Sequence, residues 1–381
     1  MSAIPGGTEW LWLESPHWAE FIAMYLFLGG VSGGAYVTSA WASFMKSLMD
    51  ADNWLGRILL ARTDDPAHRF ACTETSRWGS LIGVLGIAVG GIALLSHLGA
   101  PLRALTFPVL FTNFGSWLVI GTWVIVLFAI WAVFETLWLH FGADLDEQSG
   151  LSLFPRKILQ WIDGVMPWRT ERGITWLLDR IADVTRPPGK LWGALRIVGG
   201  VLSLTLIGYT AMLLSDVTVV QFWTRPYLPV IFLLSGVSTG ISAALLGTVL
   251  SGGALSRVNH RFCLTDDAII VAELVAIGLL LSFLANTPNM GSQASLTALF
   301  DSYQLLFVGG VLVFGTVVPV ILSLTVTVLH QFTSFEERPW GEELLTGGYA
   351  AKYALVLVGG FLLRYVVLMA AVKSPLVVPG L

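Results

Sequence analysis

Charged residues are scarce in this sequence. Only 12% of its 381 residues are Asp, Glu, Lys or Arg, whereas 55% are hydrophobic. A soluble domain carries about 25% charged residues, so most of the surface of this protein must face lipid rather than water. The net charge of −4 also gives no basic excess for a polyanion, which excludes nucleic acid as a partner.

Cysteine is scarcer still, with only Cys72 and Cys263 in the whole sequence. An iron–sulfur cluster of the common kind needs four cysteine ligands, so any such cluster must belong to a partner. We interpret the two cysteines, which are far apart in sequence, as free thiols. The first sixteen residues lack the basic and apolar regions of a cleavable signal peptide, and we expect the first membrane helix to direct insertion.

Long apolar runs are what the sequence does contain. A bilayer core of ~30 Å requires about 20 helical residues, and eight runs meet this length. They cover roughly 18–45, 78–98, 114–140, 192–215, 227–250, 268–285, 304–330 and 350–372. Because the runs are continuously apolar rather than alternating, they exclude a membrane β-barrel. The sequence therefore predicts an all-α integral membrane protein with eight transmembrane helices.

Basic residues are concentrated on one side of this predicted arrangement. The odd-numbered connections are 46–77, 141–191, 251–267 and 331–349, and they hold five, seven, two and one Lys or Arg residues. The opposite side, which includes connections 99–113, 216–226 and 286–303, holds only Arg103, Arg225 and Lys373. Basic loops remain cytoplasmic. We therefore expect a cytoplasmic (inner) membrane protein with both termini outside.

The connection 141–191 is long enough to hold structure of its own. Ile174, Leu177, Leu178, Ile181 and Val184 recur at helical spacing among charged residues. This pattern predicts an amphipathic helix that lies on the cytoplasmic membrane interface.

Four short matches recur in the same order in the two halves, which predicts an internal duplication. The matched pairs are Gly30-Val31-Ser32-Gly33-Gly34 with Gly236-Val237-Ser238-Thr239-Gly240, Leu94-Leu95-Ser96 with Leu280-Leu281-Ser282, Gly121-Thr122 with Gly315-Thr316, and Val198-Gly199-Gly200 with Val358-Gly359-Gly360. An even number of spans per repeat makes the repeats parallel. We predict two four-helix bundles, residues 1–215 (with the connection 141–191) and 216–381.

The halves differ at two polar positions. His97 matches Phe283, and Tyr209 matches Met369. Polar groups within a membrane are costly and tend to mark function, so we predict a site in the first bundle. The predicted topology brings polar groups of five segments to the outer face: Glu20, Tyr25, His97, Asn113, Ser116, Tyr209 and Arg225.

This set of groups suits a quinone. A quinone site needs an apolar slot for the isoprenoid tail, donors for the ring oxygens and a titratable group. Tyr209 can donate a hydrogen bond, His97 can exchange protons near neutrality, and Arg225 can stabilise negative charge. Each residue alone also has a structural interpretation, as an interfacial histidine, a packing tyrosine or a loop arginine beside a helix-starting proline. Their convergence favours a site.

Several ordered segments carry a resemblance to a known family. They are Leu26-Phe27-Leu28-Gly29-Gly30 through Gly34, Ser96-His97-Leu98-Gly99-Ala100-Pro101-Leu102-Arg103, Phe111-Thr112-Asn113-Phe114-Gly115-Ser116-Trp117, Tyr209-Thr210-Ala211-Met212-Leu213-Leu214-Ser215, Arg225-Pro226 and Gly359-Gly360-Phe361-Leu362-Leu363-Arg364-Tyr365. In their order and spacing the sequence resembles the membrane subunits of the NrfD / polysulfide reductase family.

The resemblance implies a function for the whole protein. Members are eight-helix subunits without haem, and they exchange electrons between membrane menaquinone or ubiquinone and a four-cluster iron–sulfur subunit. A molybdopterin catalytic subunit completes the complex on the outer face, so this protein would catalyse no complete reaction alone.

The resemblance also implies roles for individual residues. It makes Tyr209 the phenol that bonds the quinone, with Arg225 and Tyr25 nearby. His97 stands where an acidic residue is common in the family, and Phe114-Gly115 replaces a Pro-Thr pair.

Three further charges lie within the predicted spans: Glu135, Glu273 and Arg364. Each is costly in lipid unless it is paired or hydrated. They are candidates for a proton path from the cytoplasm, and structural pairing is the alternative.

Two other functions compete with the quinone subunit. A dihaem cytochrome b would use two axial histidines per haem, namely His17 with His97 and His140 with His330, although all four sit at helix ends. A secondary transporter also has internal repeats, but the predicted polar set lies in one bundle only.

Overall fold

The computed structural model describes residues 16–50, 66–97, 103, 106, 110, 112–142, 145, 150–165, 173–332 and 340–372. Within these ranges the protein is helical and contains no strand. Eight of the described helices are long and apolar enough to cross a membrane. The predicted fold class is confirmed, and the protein is a multi-pass membrane protein.

The helices are numbered here in order of sequence. They are α1 (Pro16–Asp50), α2 (Pro66–His97), α3 (Trp117–His140), α4 (Phe154–Val165), α5 (Ile174–Thr185), α6 (Gly189–Ser215), α7 (Tyr227–Thr248), α8 (Arg257–Asn286), α9 (Met290–Thr297), α10 (Val318–Phe332) and α11 (Gly341–Met369). A π-helical segment, Leu305–Val317, leads directly into α10 and forms one span with it. The short helices α4, α5 and α9 are the ones that do not span.

Three spans begin earlier than the sequence predicts. Helices α2, α8 and α11 start at Pro66, Arg257 and Gly341, about three turns before the predicted starts at 78, 268 and 350. A hydropathy window stops at the first charged residues, but here the helix continues through them. Those charges are paired inside the protein, as Lys352 is with Asp266, so the helix need not end where they begin.

The spans pack as two sets of four that meet at α1 and α7. Helices α1, α2, α3 and α6 contact one another in a ring, and α7, α8, α10 and α11 form a second ring. Helix α7 also packs against α1, α2 and α6. The division of the protein at residue 215 into two bundles stays a prediction.

The contact between α1 and α7 depends on glycine. A Cβ atom on Gly34 would lie 2.1 Å from the carbonyl oxygen of Gly236, and one on Gly240 would lie 2.1 Å from the carbonyl carbon of Gly34. Small residues allow this close backbone approach, which is how helices associate in lipid. Because Gly30 also faces Gly236, the two helices run parallel.

The later matches of the predicted duplication are not in register with this contact. Ile207 of α6 lies against Gly236, whereas Arg364 of α11 lies against Gly30. If Gly30 corresponds to Gly236, then Ile207 corresponds to Arg364, and Tyr209 corresponds to Val366. The pairing of Tyr209 with Met369 is therefore wrong by about one turn, and the duplication itself stays a prediction.

Helices α4 and α5 lie on the side where α3 ends and α6 begins, which we call the basic side. Arg156 of α4 pairs with Asp179 of α5 at 2.7 Å. Asp163 accepts hydrogen bonds from the backbone N–H groups of Ile174 and Thr175 at 2.8 Å. The bond from Thr175 contributes most to lowering the pKa of the Asp163 carboxyl. This carboxylate therefore satisfies the first free N–H groups of α5.

Both short helices expose apolar side chains. Leu178 of the amphipathic stripe predicted for α5 is partly buried. The exposed apolar side chains of the two helices include Ile158, Trp161 and Val165 of α4 and Ile174, Leu177, Ile181 and Val184 of α5. Their spacing is that of one face of each helix. The location of this face at the membrane interface stays a prediction.

Candidate quinone site

Tyr209 is a buried tyrosine whose hydroxyl group forms no hydrogen bond with any described residue. The residue is 4% exposed in the C-terminal part of α6, and its Oη atom has no hydrogen-bond partner among the described residues. The ring lies against α3, where a Cβ atom on Gly121 would be 2.2 Å from Tyr209 Cε2. A buried hydroxyl without a partner costs about 1–3 kcal/mol, and this one can donate to a ligand.

Tyr25 lies in the same apolar cluster as Tyr209. It is 6% exposed in α1, and its ring packs near Gly90 of α2. Trp117, at the start of α3, packs against the same cluster. The two tyrosines that the sequence proposes for one site thus belong to one apolar cluster, which also extends into the second set of helices.

Arg225 lies beyond this cluster, in the connection between α6 and α7. Its guanidinium forms an ion pair with Asp216 in which both side chains are nearly half exposed. Nη2 also lies 3.5 Å from the carbonyl oxygen of Met212, one turn beyond Tyr209. Arg225 therefore lies at the C-terminal end of α6 rather than within the cluster.

The remaining predicted site residues are peripheral or lie outside the description. Asn113 is exposed, and its Oδ1 accepts a hydrogen bond from the Gly115 N–H at 3.1 Å, which makes a local turn before α3. Ser116 is half-buried at the N-cap of α3, and Glu20 is exposed. His97 ends α2, and its side chain lies outside the described residues, so its role as proton acceptor stays a prediction.

Two cavities flank Arg225 and Met212. An apolar groove of about 390 Å³ runs between α6 and α7, with this lining: Val201, Leu204, Thr205, Gly208, Met212, Pro229, Val230 and Leu233. A more polar cavity of about 300 Å³ lies beside it, lined by Ser215 to Thr218, Val220, Gln221 and Trp223 to Arg225. Ser215 Oγ is a second buried hydroxyl without a partner among the described residues, and the sequence analysis missed it.

Glu135 is a paired charge of the first bundle. Its Oε1 lies 2.8 Å from Arg196 Nε, and Trp192 donates to its other oxygen at 3.3 Å. The guanidinium of Arg196 stacks over the Trp192 ring at 4.2 Å. These contacts favour the structural interpretation of Glu135.

Glu273 and Arg364 lie in the second bundle instead. Arg364 Nη1 donates to Ser235 Oγ at 3.0 Å and to the Gly360 carbonyl at 2.7 Å, and Glu273 hydrogen-bonds the same serine. The three charges proposed for one path are thus divided between two bundles. A path through Glu135, Glu273 and Arg364 together is not what their contacts support.

Lys352, Asp266 and Asp267 form a buried ionic cluster that the sequence analysis missed. Lys352 Nζ lies 3.2 Å from Asp266 and 2.8 Å from Asp267. The prediction that the polar set lies in one bundle only is wrong, because Lys352 and Asp266 are fully buried within the second set of helices. The adjacent aspartates before an apolar run were the available signal.

Comparison with known proteins identifies the family. The family model described as "Polysulphide reductase, NrfD" matches residues 13–375. The protein belongs to this family. It is similar to the C subunit of polysulfide reductase from Wolinella succinogenes, with 26% identity over 93% of each of the two sequences. It is also similar to a protein NrfD homolog of Haemophilus influenzae, with 25% identity over 81% of this sequence and 84% of that protein.

A third relative, the protein NrfD of Escherichia coli, is 29% identical over 62% of this sequence and 61% of its own length. Family membership and the eight spans together make the protein a membrane subunit of a redox complex. The resemblance noted from the ordered segments is confirmed at the level of the family.

Proposed function

We propose that the protein anchors a respiratory oxidoreductase in the membrane and exchanges electrons between membrane quinones and an iron–sulfur partner. The observation that carries this proposal is the buried hydroxyl of Tyr209, which no described residue bonds. It lies in an apolar cluster with Tyr25, and an apolar groove passes beside the same helix. A quinone ring with a long isoprenoid tail fits this combination of one donor and much apolar surface.

Each group has a distinct part in the proposed reaction. Reducing a quinone takes two electrons and two protons, and oxidising a quinol releases the same. The Tyr209 hydroxyl donates a hydrogen bond to an oxygen of the quinone ring and holds that ring in place. Tyr25 forms part of the apolar wall of the site. His97, at the end of α2, exchanges protons with the outer solvent. Arg225, Asn113 and Ser116 lie at the entrance of the proposed site, where the polar quinone ring passes.

The partner follows from the route of the electrons. In this proposal the protein binds menaquinone or ubiquinone and holds no haem, so electrons pass directly between the quinone and the partner. Iron–sulfur clusters and molybdopterin belong to partner subunits, which dock on the Arg225 side. One relative is by its name a component of polysulfide reductase, which supports a multi-subunit assembly. We place the basic side in the cytoplasm and both termini outside the cytoplasmic membrane.

Equilibrium binding tests the proposal on the purified protein. A short-tailed quinone analogue should quench the fluorescence of nearby tryptophans, such as Trp117, with a saturable curve for one site. Tyr36→Phe serves as the control for Tyr209→Phe, because Tyr36 is also a buried tyrosine of the first bundle but its hydroxyl already bonds Trp131. Weak, non-saturable partition that matches empty detergent micelles would contradict quinone binding. A haem spectrum in the reduced-minus-oxidised difference would instead support the cytochrome alternative.

A further inference from the structure

Lys352 is buried where helices of the second bundle meet. Its Nζ atom contacts Asp267 Oδ1 at 2.8 Å and Asp266 Oδ2 at 3.2 Å. It also donates to the carbonyl oxygen of Cys263 at 3.1 Å. Lys352, Asp266 and Asp267 are called the triad below.

Serine hydroxyls from two further helices complete the surroundings. Ser238 of α7 donates to Asp266 Oδ1 at 2.6 Å, and Ser242 donates to Oδ2 at 3.3 Å. Ser323 of α10 donates to Asp267 Oδ2 at 2.5 Å. Since α8 and α11 carry the triad itself, all four helices of the second bundle contribute to one polar centre.

The charges of this centre do not balance. If every group is ionised, one ammonium faces two carboxylates, and the triad carries an excess negative charge. Glu273 does not change this count, because the charge of Arg364 offsets it. An uncompensated charge in a buried site is far more costly than a neutral carboxyl group, which accommodates by binding a proton. One proton on Asp266 or Asp267 would remove this excess charge.

Protonatable groups continue from the triad in both directions along the bundle. On the outer side, Ser238 is followed one turn along α7 by Ser235, which bonds both Glu273 and Arg364. On the basic side, Tyr353 Oη donates to Asn259 Oδ1 at 3.0 Å. The serine and tyrosine hydroxyls and the Glu273 carboxyl group in this series can both give and accept protons, whereas Asn259 and Arg364 only hold their hydrogen-bond partners in place.

The outer end of the series reaches the first bundle. The guanidinium of Arg364 lies 5.9 Å from the ring centre of Phe27 and 5.4 Å from that of Phe232. It also packs against Gly30 of α1. Phe232 belongs to the same apolar cluster as Tyr25 and Tyr209, so the series ends at this cluster.

We propose that the triad is a proton-loading site on a path through the second bundle, between the basic side and the quinone site. The proposal rests on the proposed quinone reaction for its electrons, which the reduced iron–sulfur partner supplies or the oxidised one removes. Each quinone takes up two electrons and two protons. A site that holds one proton therefore loads and releases twice in each turnover. Glu135, paired with Arg196, has no part in this path.

Infrared spectroscopy on the purified protein tests the bound proton without any electron transfer. We expect a carboxylic-acid C=O band that shifts in deuterated water and is lost in Asp266→Asn or in Asp267→Asn. Glu273→Gln should retain the band. Lys352→Met leaves two carboxyl groups without their cation, and the band should grow about twofold as both bind protons. If Lys352→Met does not fold, the double variant Lys352→Met with Asp266→Asn takes its place. Its triad keeps one carboxyl group, Asp267, which is neutral when it binds a proton, so the band should be present. A band that both aspartate variants retain would overturn the proposal.

Proton movement is then measured on the whole complex in membrane vesicles with the basic side facing the medium. Asp266→Asn and Asp267→Asn should slow quinone-linked proton exchange with that medium on the order of 100-fold. Electron transfer from the partner to a soluble dye should be unchanged. Glu135→Gln is the matched control and should keep normal proton exchange. Unchanged exchange in both aspartate variants would overturn the path. A lack of quinone turnover in the unmodified complex would contradict the proposed function alone, because the infrared band does not depend on it.

Discussion

The ring of Tyr209 occupies the space that a side chain at position 121 would need. A Cβ atom on Gly121 would lie 2.2 Å from Cε2 and 2.3 Å from Cδ2 of this ring. Glycine at this point of α3 lets α6 place a large aromatic ring between the two helices. The position of the phenol therefore depends on the absence of a side chain opposite it.

Gly121→Ala should displace the Tyr209 ring. Overpacking of this kind costs about 1–3 kcal/mol, and the shift moves the Tyr209 hydroxyl away from the ring oxygen of the proposed quinone. Quinone-linked activity of the complex should fall while activity with a soluble donor persists. Gly200→Ala is a matched control, because a Cβ atom there meets no atom within 4 Å. Normal quinone activity in Gly121→Ala would show that the ring position is not critical.

The two helices at the centre of the molecule should be sensitive to a single methyl group. Gly34→Ala and Gly240→Ala each place a Cβ atom at 2.1 Å from backbone atoms of the facing helix, which cannot move aside as a side chain can. Each change should lower the thermal unfolding midpoint of the detergent-purified protein. Gly278→Ala in α8 meets no atom within 4 Å and should not lower it, since alanine favours helix by up to ~1 kcal/mol. Equal midpoints for all three variants would contradict the proposed helix contact.

The orientation of the protein can be read with reporter fusions. Fusions after residues 50, 165 and 258 should report a cytoplasmic position, and fusions after residues 107, 220 and 295 an external one. The expectation rests on the Lys and Arg excess of the odd-numbered connections. Two or more reversed readings would invert both the topology and the side assigned to the quinone site.

Docking of the partner should follow the site. Electron transfer without haem requires the iron–sulfur subunit near the quinone, so crosslinks should form from connections 99–113, 216–226 and 286–303. Single cysteines in the connections 46–77 and 141–191 are the matched controls on the basic side. Crosslinks from these two connections alone would place the partner on the wrong face for the proposed electron route.

Hydropathy was sufficient to predict the number and order of the spans, because lipid imposes the same length on each helix. It was not sufficient for the helix starts on the basic side. Glu74 and Asp266 lie in predicted connections and Lys352 lies at the predicted start of the last span, yet all three are buried in the structure. Pairing between helices that are distant in sequence removes their cost, and a single sequence does not reveal such pairs.

The candidate site was predictable only in part, for a related reason. Tyr209 and Tyr25 stand out as polar groups on otherwise apolar helices, and the structure places both in one apolar cluster. The position of Arg225 at the C-terminal end of α6 depends on its partner Asp216, which the sequence analysis did not consider. The triad is assembled from α8 and α11, so the adjacent aspartates indicate a polar position but do not reveal Lys352 as their partner.

Replacing one oxygen atom tests the central claim most directly. Tyr209→Phe keeps the ring against Gly121 and removes only a hydroxyl that no described residue bonds. The loss of one hydrogen bond to a buried ligand costs about 1–3 kcal/mol, so quinone-linked turnover of the complex should fall about 5- to 150-fold. The unfolding midpoint and the activity with a soluble donor should not fall. Turnover with quinone equal to that of the unmodified complex would contradict the assignment of Tyr209 to the quinone site.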